Sequence, residues 1–217
     1  MNVRLILASK SPARLKTLHG AGVNPVVMVS AVNESAVVAE AEERHGPLTP
    51  ADQALLLARA KAEAVRSSLT RGATPGTRTV IVGCYSIFEL DGVAYGKPRT
   101  PEVAFERIRA MSGRSGLLQT GHWVIDVQGP DDDDVKALGM VGTTTVNFGV
   151  IDDDEITAYI ETGEPLEVAG SFTVDGLGGP FVESIEGDYH NVVGLSLPLL
   201  RDLLAKLEIP WRNIRNT

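Results

Sequence analysis

Hydroxyls and cations cluster near the start of the chain, where an apolar segment meets a predicted helix. Residues 5–8 are apolar, and Ser9, Lys10, Ser11 and Arg14 follow them. Ser11 is a favoured N-cap residue and a proline comes next, so a helix should begin there. Its orphan backbone N–H groups and the flanking cations would attract phosphate. Simple helix capping, with no bound anion, is the alternative interpretation.

Three further patches carry groups that phosphate chemistry needs. Glu34, predicted to lie in a loop, offers a hard carboxylate oxygen suited to Mg²⁺ or Mn²⁺, with a solvated loop glutamate as the alternative. Lys61 lies among small residues in a predicted helix, where a surface lysine is the alternative. Lys97 is held between a glycine and a proline, which could present its ammonium to a phosphate. None of these patches is specific alone, but together they would complete a phosphate-handling site.

Other kinds of site have little support in the sequence. It contains no GxxxxGK[ST] phosphate loop, no GxGxxG fingerprint, no HExxH helix and no CxxC pair. The four histidines occur in unrelated contexts, and His122 beside Trp123 is expected to be structural. Cys84 follows an apolar segment, where a buried and inert thiol is more typical than a nucleophile.

Composition restricts the partners and the compartment. The 217 residues, 43% of them hydrophobic, are enough to bury the core of a single domain over 1–217. That domain could also consist of two lobes around a central cleft. A formal charge of -8 argues against stable nucleic-acid binding, so a phosphate site must be a local basic pocket. One cysteine, no signal-like start and no bilayer-length apolar run predict a cytoplasmic protein that does not bind membranes.

Alternating strand and helix signals predict an α/β fold. Helices should follow Ser11, Thr49, Thr100 and Asp152 or Asp153, and a last helix should carry a leucine stripe that packs in the core or against another subunit. Residues 71–77 and the acidic run Asp131–Asp134 are predicted to be surface loops, the acidic run in preference to a metal site. The predicted strands are 4–8, 25–29, 79–82, 86–90, 118–127 and 142–150.

Several segments, taken in order, resemble the Maf family of nucleoside triphosphate pyrophosphatases across nearly the whole chain. They are LASKSPARL, VNE, ARAKAEAV, VGCYS, LDGVAYGKP, SGRSGLLQTG, TGEPLEVAGSFTVDGLG and IEGDYHNVVGLSLPLL. The resemblance implies an α/β fold with an elongated, bent, mixed central sheet flanked by helices. It also implies a nucleotide cleft across that sheet.

The activity implied by the resemblance is hydrolysis of a nucleoside triphosphate to the monophosphate and pyrophosphate. Water would attack the α-phosphate with the help of a divalent metal cation, Mg²⁺ or Mn²⁺, and the protein would be a homodimer. The same resemblance assigns roles to residues in this chain. Catalytic positions are Tyr85, Lys61 and Lys97; substrate-binding positions are Ser9, Ser11, Ala13, Arg14, Ser86 and Asp175, the last two at the base; Glu34 is the metal position.

Tyr85 is the main departure from the family pattern. Most members carry an aspartate there, as the proposed general base and a metal partner, whereas a tyrosine has an ordinary pKa of about 10 and is neutral at pH 7. Loss of a positioned base typically lowers the rate by roughly 10²–10⁴. Asn33 and the pair Ala13-Arg14 also depart from common family residues, which leaves the preferred base open.

Three functional hypotheses follow. The first is an enzyme that hydrolyses nucleoside triphosphates, including non-standard ones. The second is a catalytically impaired form, or a sensor, that binds nucleotide without turnover, and it depends on Tyr85. The third is a structural or partner-binding protein, which accounts for the leucine-rich last helix but not for the clustered phosphate motifs.

Overall fold

The computed structural model describes residues 2–69, 77–127 and 135–215. The acidic run Asp131–Asp134 and almost all of the predicted connection 71–77 lie outside the described residues. In the described part, helices pack against a mixed sheet, which confirms the predicted α/β class.

Seven described strands form one sheet in the order β2-β1-β3-β5-β6-β7, with β4 beside β3. The first strand is parallel to its neighbours β2 and β3, and the other pairs are antiparallel. At about 3.4 Å per residue, the three longest strands span about 45 Å, and they form the centre of the sheet. The strands are β1 Asn2–Leu7, β2 Val26–Val27, β3 Thr77–Leu90, β4 Val93–Tyr95, β5 Ser115–Val127, β6 Val135–Phe148 and β7 Val182–Glu186.

The helices begin where the capping residues predict. Ser11, Thr49, Thr100 and Asp152 each accept a hydrogen bond from a backbone N–H in the first turn of their helix. No helix in the described ranges is long and apolar enough to cross a bilayer. The helices are α1 Pro12–Gly20, α2 Glu34–His45, α3 Pro50–Ser68, α4 Pro101–Met111, α5 Asp153–Glu161, α6 Tyr189–Val193 and α7 Leu197–Lys206.

Strand β3 is continuous, whereas the sequence predicts two strands with a break at 83–85. Gly83 lies directly beneath α3, where an added Cβ would stand 2.2 Å from the Ala58 carbonyl oxygen. Gly121 on β5 is equally close to the Ala54 carbonyl. These glycines therefore permit close packing of α3 on the sheet, and Gly83 does not end a strand.

The predicted leucine stripe lies in the core. Leu200, Leu203 and Leu204 of α7 are buried together with residues of β1, β3 and β5. This cluster also contains Leu207, directly after the helix. Of the two interpretations of the stripe, the structure supports a core helix that closes one face of the sheet.

His122 joins the middle of β5 to the start of α7. Its Nδ1 lies 2.9 Å from the Thr120 carbonyl oxygen, and its Nε2 accepts from the Ser196 backbone N–H at 2.8 Å. A carbonyl only accepts and a backbone N–H only donates, so the ring is neutral with its proton on Nδ1. Burial lowers the pKa of His122 to about 4, despite the opposing bond to Thr120. His122 is therefore structural, as predicted.

We expect His122 to make the free energy of unfolding depend on pH. Below about pH 6.5 the imidazole of His122 binds a proton in the unfolded chain but stays neutral in the folded protein. The free energy of unfolding therefore falls as the pH drops towards 4. The difference in pKa corresponds to about 3 kcal/mol. In urea denaturation at a series of pH values, H122Q should lose most of this dependence.

The exposed His19 provides the control, because H19Q should keep the pH dependence of the wild-type protein. An H122Q protein with the same pH dependence as the wild type would contradict the account of His122.

Candidate functional site

The ten candidate site residues from the sequence all line one cleft of about 550 Å³. They come from the β1–α1 turn, the start of α2, the middle of α3, strand β3, the segment after β4 and the irregular segment before β7. The ten residues are Ser9, Ser11, Ala13, Arg14, Glu34, Lys61, Tyr85, Ser86, Lys97 and Asp175.

The cleft is more positive than the chain as a whole. Among its described lining residues are four cations and three carboxylates, in a chain whose formal charge is -8. The described lining thus carries one more cation than carboxylate, and a phosphate site here stays a prediction. The cations are Lys10, Arg14, Lys61 and Lys97, and the carboxylates are Glu34, Glu167 and Asp175.

Arg14 connects three separate parts of the chain beneath the cleft. Its Nε donates to the Gly194 carbonyl at 2.7 Å. Its Nη1 donates to the Cys84 carbonyl at 3.0 Å and to Ser9 Oγ at 3.1 Å, and its Nη2 donates to Ser86 Oγ at 3.1 Å. Burial lowers the pKa of Arg14. The guanidinium thus holds the β1–α1 turn against β3 and against the turn between α6 and α7, while its contact with substrate stays a prediction.

The two hydroxyls of the β1–α1 turn shape its backbone. Ser9 Oγ accepts from the Ser11 backbone N–H at 3.2 Å, and Ser11 Oγ accepts from the Arg14 backbone N–H at 3.4 Å. Ala13 follows in the first turn of α1 and also borders the cleft. The turn therefore presents the positive end of the α1 dipole to the cleft.

The Ser86 hydroxyl is engaged within the protein. Thr120 Oγ1 donates to the Asn191 carbonyl at 2.9 Å, so at its 3.0 Å contact with Ser86 Oγ the Thr120 hydroxyl must accept. The Ser86 hydroxyl therefore donates a hydrogen bond to Thr120 Oγ1 and accepts one from Arg14. Contact with a base, as the resemblance implies for Ser86, would have to use a remaining lone pair.

Glu34, Lys61 and Tyr85 form a compact polar cluster at one side of the cleft. Lys61 Nζ lies 2.7 Å from Glu34 Oε1, and the Tyr85 hydroxyl donates to Glu34 Oε2 at 2.9 Å. The Lys61 ammonium also lies 5.6 Å from the centre of the Tyr85 ring, within range of a cation–π contact. The three side chains project from α2, α3 and β3, so the cluster joins these elements.

The cluster fixes the charge states of Glu34 and Tyr85 at neutral pH. Burial would raise the pKa of Glu34, but the bonds from Lys61 and Tyr85 outweigh it and hold the pKa below its ordinary value. Burial and the neighbouring Glu34 charge raise the pKa of Tyr85 well above its ordinary value. Tyr85 is therefore a neutral hydrogen-bond donor and cannot accept a proton as an aspartate would.

The donor groups in the cleft do not fit a resident divalent metal. Both oxygens of Glu34 already accept hydrogen bonds, and the neighbouring position that would supply a second carboxylate is Tyr85. Across residues 2–69, 77–127 and 135–215, no group of three or more His, Cys, Asp or Glu side chains could hold a metal ion. Proteins usually hold Mg²⁺ with one or two carboxylates together with substrate phosphates, and the carboxylate of this cluster, Glu34, is already engaged by Lys61 and Tyr85.

Lys97 and Asp175 lie at parts of the cleft with looser contacts. Lys97 Nζ is 3.8 Å from Glu167 Oε2, and Asp175 Oδ2 is 3.8 Å from Lys16 Nζ. Glu167 and Lys16 are largely exposed, and ion pairs of this kind contribute little to stability. Both groups can therefore change partner when a ligand enters.

Cys84 is buried and is absent from the cleft lining in the described part of the chain. Burial raises the pKa of its thiol to about 11, so the thiolate is scarce at neutral pH. The structure thus agrees with the expectation of an inert thiol.

Sequence reasoning missed two features of the site. It placed Glu34 in a loop, but Glu34 begins α2, and Asn33 accepts from the Ala36 N–H as the N-cap. That signal was present, because asparagine before glutamate is a common helix start. It also missed Glu164, which accepts hydrogen bonds from residues on both sides of Asp175. Nothing in its immediate sequence specifies those distant partners.

Comparison with known proteins gives one consistent family. A family model described as Maf-like protein matches residues 4–207. A nucleoside triphosphate pyrophosphatase of Leifsonia xyli subsp. xyli is 51% identical over 99% of this chain and 97% of its own length. Proteins of the same name from Salinispora tropica and Streptomyces coelicolor are each 49% identical, over 96% and 94% of this chain and 85% and 90% of their own lengths.

We expect R14K to lower the free energy of unfolding by about 3 kcal/mol, since a lysine cannot reach all four acceptors and a buried polar group without a partner costs about 1–3 kcal/mol. Chemical denaturation measures the change. R4K is the matched control, because Arg4 is exposed on β1 and the substitution should have little effect. Equal stability of R14K and the wild-type protein would refute the bridging role of Arg14.

Proposed function

Because the chain belongs to the Maf-like protein family, we propose that it hydrolyses nucleoside triphosphates to the monophosphate and pyrophosphate. One observation carries the proposal: candidate residues from six separate parts of the chain line a single cleft rich in cations. The relatives that bear this activity in their names are about half identical over nearly their whole length, which supports the same reaction here.

In the proposed complex, the triphosphate lies towards Lys61, Lys97 and the start of α1. Water attacks the α-phosphorus, the bond to the α–β bridging oxygen breaks, and pyrophosphate leaves with that oxygen. Lys61 has three N–H donors, so it can contact a phosphate oxygen while it remains bonded to Glu34. Positioning and neutralisation of phosphate charge supply most of the rate enhancement.

The proton of the attacking water is the difficult step in this chain. Tyr85 cannot accept it, and the adjacent Glu34 is a weak base because its pKa is lowered and both its oxygens are engaged. We therefore expect slow turnover. The Mg²⁺ or Mn²⁺ implied by the family resemblance enters the proposal as part of the substrate, the metal complex of the triphosphate, and no step is assigned to a resident ion.

Nucleotide binding without turnover is the second candidate function, and the Tyr85–Glu34 hydrogen bond favours it. That bond occupies the carboxylate that would otherwise be available to a water molecule or to a metal ion. Lys97, and Lys61 through its remaining N–H donors, can still contact a nucleotide in this case. The protein would then act as a sensor or as an impaired member of the family.

Three further predictions from the sequence remain part of the proposal. The chain acts in the cytoplasm, where nucleoside triphosphates are made and used. It forms a homodimer, as the family resemblance implies. The net negative charge supports the absence of stable nucleic-acid binding.

Replacing Tyr85 by aspartate tests the two candidate functions. We expect Y85D to raise kcat by roughly 10²–10⁴, because it supplies a base beside the α-phosphate. The measurement is pyrophosphate release from standard, modified and methylated nucleoside triphosphates with Mg²⁺ or Mn²⁺. Y85F is the matched control, since it removes the hydroxyl without adding a carboxylate and should gain much less.

The outcomes separate the hypotheses. Slow turnover by the wild-type protein and faster turnover by Y85D supports the enzyme. Binding without turnover in the wild type, with turnover in Y85D, supports the second function. If neither protein releases pyrophosphate from any of the nucleotides, the proposed hydrolysis is overturned.

Asp175 should influence the choice of base. Its carboxylate only accepts hydrogen bonds and favours bases with an exocyclic amino group, whereas the amide of D175N both donates and accepts. For D175N we expect the ratio of kcat/KM with adenine, cytosine or guanine nucleotides to kcat/KM with thymine or uracil nucleotides, whose bases lack that amino group, to fall about tenfold, the equivalent of about 1.4 kcal/mol. The matched control is D202N on α7, and an unchanged ranking in D175N would refute the role.

A further inference from the structure

Glu164 accepts four hydrogen bonds in the segment between α5 and β7. Its Oε1 accepts from the Thr173 hydroxyl at 2.6 Å, the Tyr159 hydroxyl at 2.8 Å and the Gly178 backbone N–H at 3.1 Å. Its Oε2 accepts from the Leu177 backbone N–H at 3.1 Å. Burial would raise the pKa of Glu164, but these bonds outweigh it and hold the pKa below its ordinary value. The side chain is therefore a carboxylate at neutral pH.

The segment 173–178, which receives these bonds, contains no helix or strand. Its course depends on Glu164 and on two glycines that pass close to neighbouring groups. An added Cβ at Gly176 would stand 2.5 Å from Glu164 Oε2, and one at Gly178 would stand 2.6 Å from the Tyr159 hydroxyl. The backbone thus wraps tightly around the carboxylate, at a distance that only glycine permits.

Tyr159 links this arrangement to the hydrophobic core. Its ring is 4% exposed and packs in a cluster with Phe172 and Ile156. Its hydroxyl donates to Glu164 and accepts from the Thr173 backbone N–H at 3.3 Å. The segment 173–178 is therefore fixed to the core through one ionised side chain and one phenol.

The same segment forms part of the cleft wall. Thr173, Val174 and Asp175 line the cleft, whereas Glu164 is not among the described residues that line it. Glu164 can therefore affect a bound nucleotide only through the residues that it holds. We propose that Glu164 is a positioning residue that sets the place of Asp175 and thereby the discrimination between bases; this inference rests on the proposed function.

Glu164→Gln tests the inference with a small change in volume. The amide has one acceptor oxygen instead of two, so it cannot serve both the Oε1 donors and the Leu177 N–H. We expect E164Q to raise KM for the preferred nucleotide about tenfold, which matches the loss of one charge-assisted hydrogen bond. The differences in KM between nucleotides with different bases should become smaller, and kcat should stay within about twofold of the wild-type value.

Two controls accompany this variant. Glu161→Gln changes an exposed glutamate of α5 and should retain wild-type kinetics. Tyr159→Phe removes one donor to Glu164 and keeps the buried ring, so it should narrow base discrimination in the same direction but less. Circular dichroism melting establishes which variants are folded, and Y159F provides the test if E164Q is not.

Calorimetry with α,β-methylene nucleoside triphosphates and with inorganic triphosphate distinguishes failure of the proposed function from failure of the positioning role of Glu164. We expect E164Q to weaken binding of the preferred nucleotide and to leave binding of inorganic triphosphate, which has no base, unchanged. If the wild type binds neither probe, the proposed function fails and the inference fails with it. If the wild type discriminates among bases and folded E164Q does so equally, the positioning role alone is overturned.

Discussion

The cleft depends on the contacts of the Arg14 guanidinium, which lies half-buried beneath it. A cation partly removed from water needs partners for its N–H donors, and Arg14 donates to two backbone carbonyls and two hydroxyls, of which only Ser9 is near it in sequence. These acceptors belong to the β1–α1 turn, to β3 and to the start of the α6–α7 turn. Movement of any one of these segments would leave N–H donors of Arg14 without partners. These bonds therefore tie the three segments together beneath the cleft.

The polar cluster of Glu34, Lys61 and Tyr85 works differently. Glu34, Lys61 and Tyr85 satisfy one another, and α2, which carries Glu34, has no buried residue of its own in the described structure. Its position thus depends strongly on this cluster and on partly buried contacts with α3. A carboxylate at position 85 would have left the cluster with excess negative charge and room for a dication, whereas tyrosine leaves it closed and electrically balanced. At position 85, the tyrosine that stabilises the unliganded cleft is therefore also the residue that leaves the cleft without a strong base for a water molecule.

Much of the fold follows from local signals in the sequence. Capping side chains such as Ser11 and Thr49 mark helix starts because they accept from N–H groups three residues away, and the leucines of α7 reveal a buried face. Helix α2 escaped prediction because it buries no side chain and so lacks apolar periodicity. Gly83 was misinterpreted as a strand end because its neighbour α3 is distant in sequence. Candidates such as Arg14, Glu34 and Lys61 were proposed from their chemistry, and Tyr85, Ser86 and Asp175 by resemblance. The partners of Arg14 and Glu164 could not be predicted, because only the folded chain brings them together.

A crystal structure with an α,β-methylene nucleoside triphosphate would test the central claim, that this cleft binds a nucleotide with its phosphates at Lys61 and Lys97 and its base at segment 173–178. The account predicts phosphate oxygens within hydrogen-bond distance of both ammonium groups, the base beside Asp175, and Arg14 unmoved. A nucleotide bound outside the cleft, or bound with its base at Glu34 and its phosphates at Asp175, would contradict it.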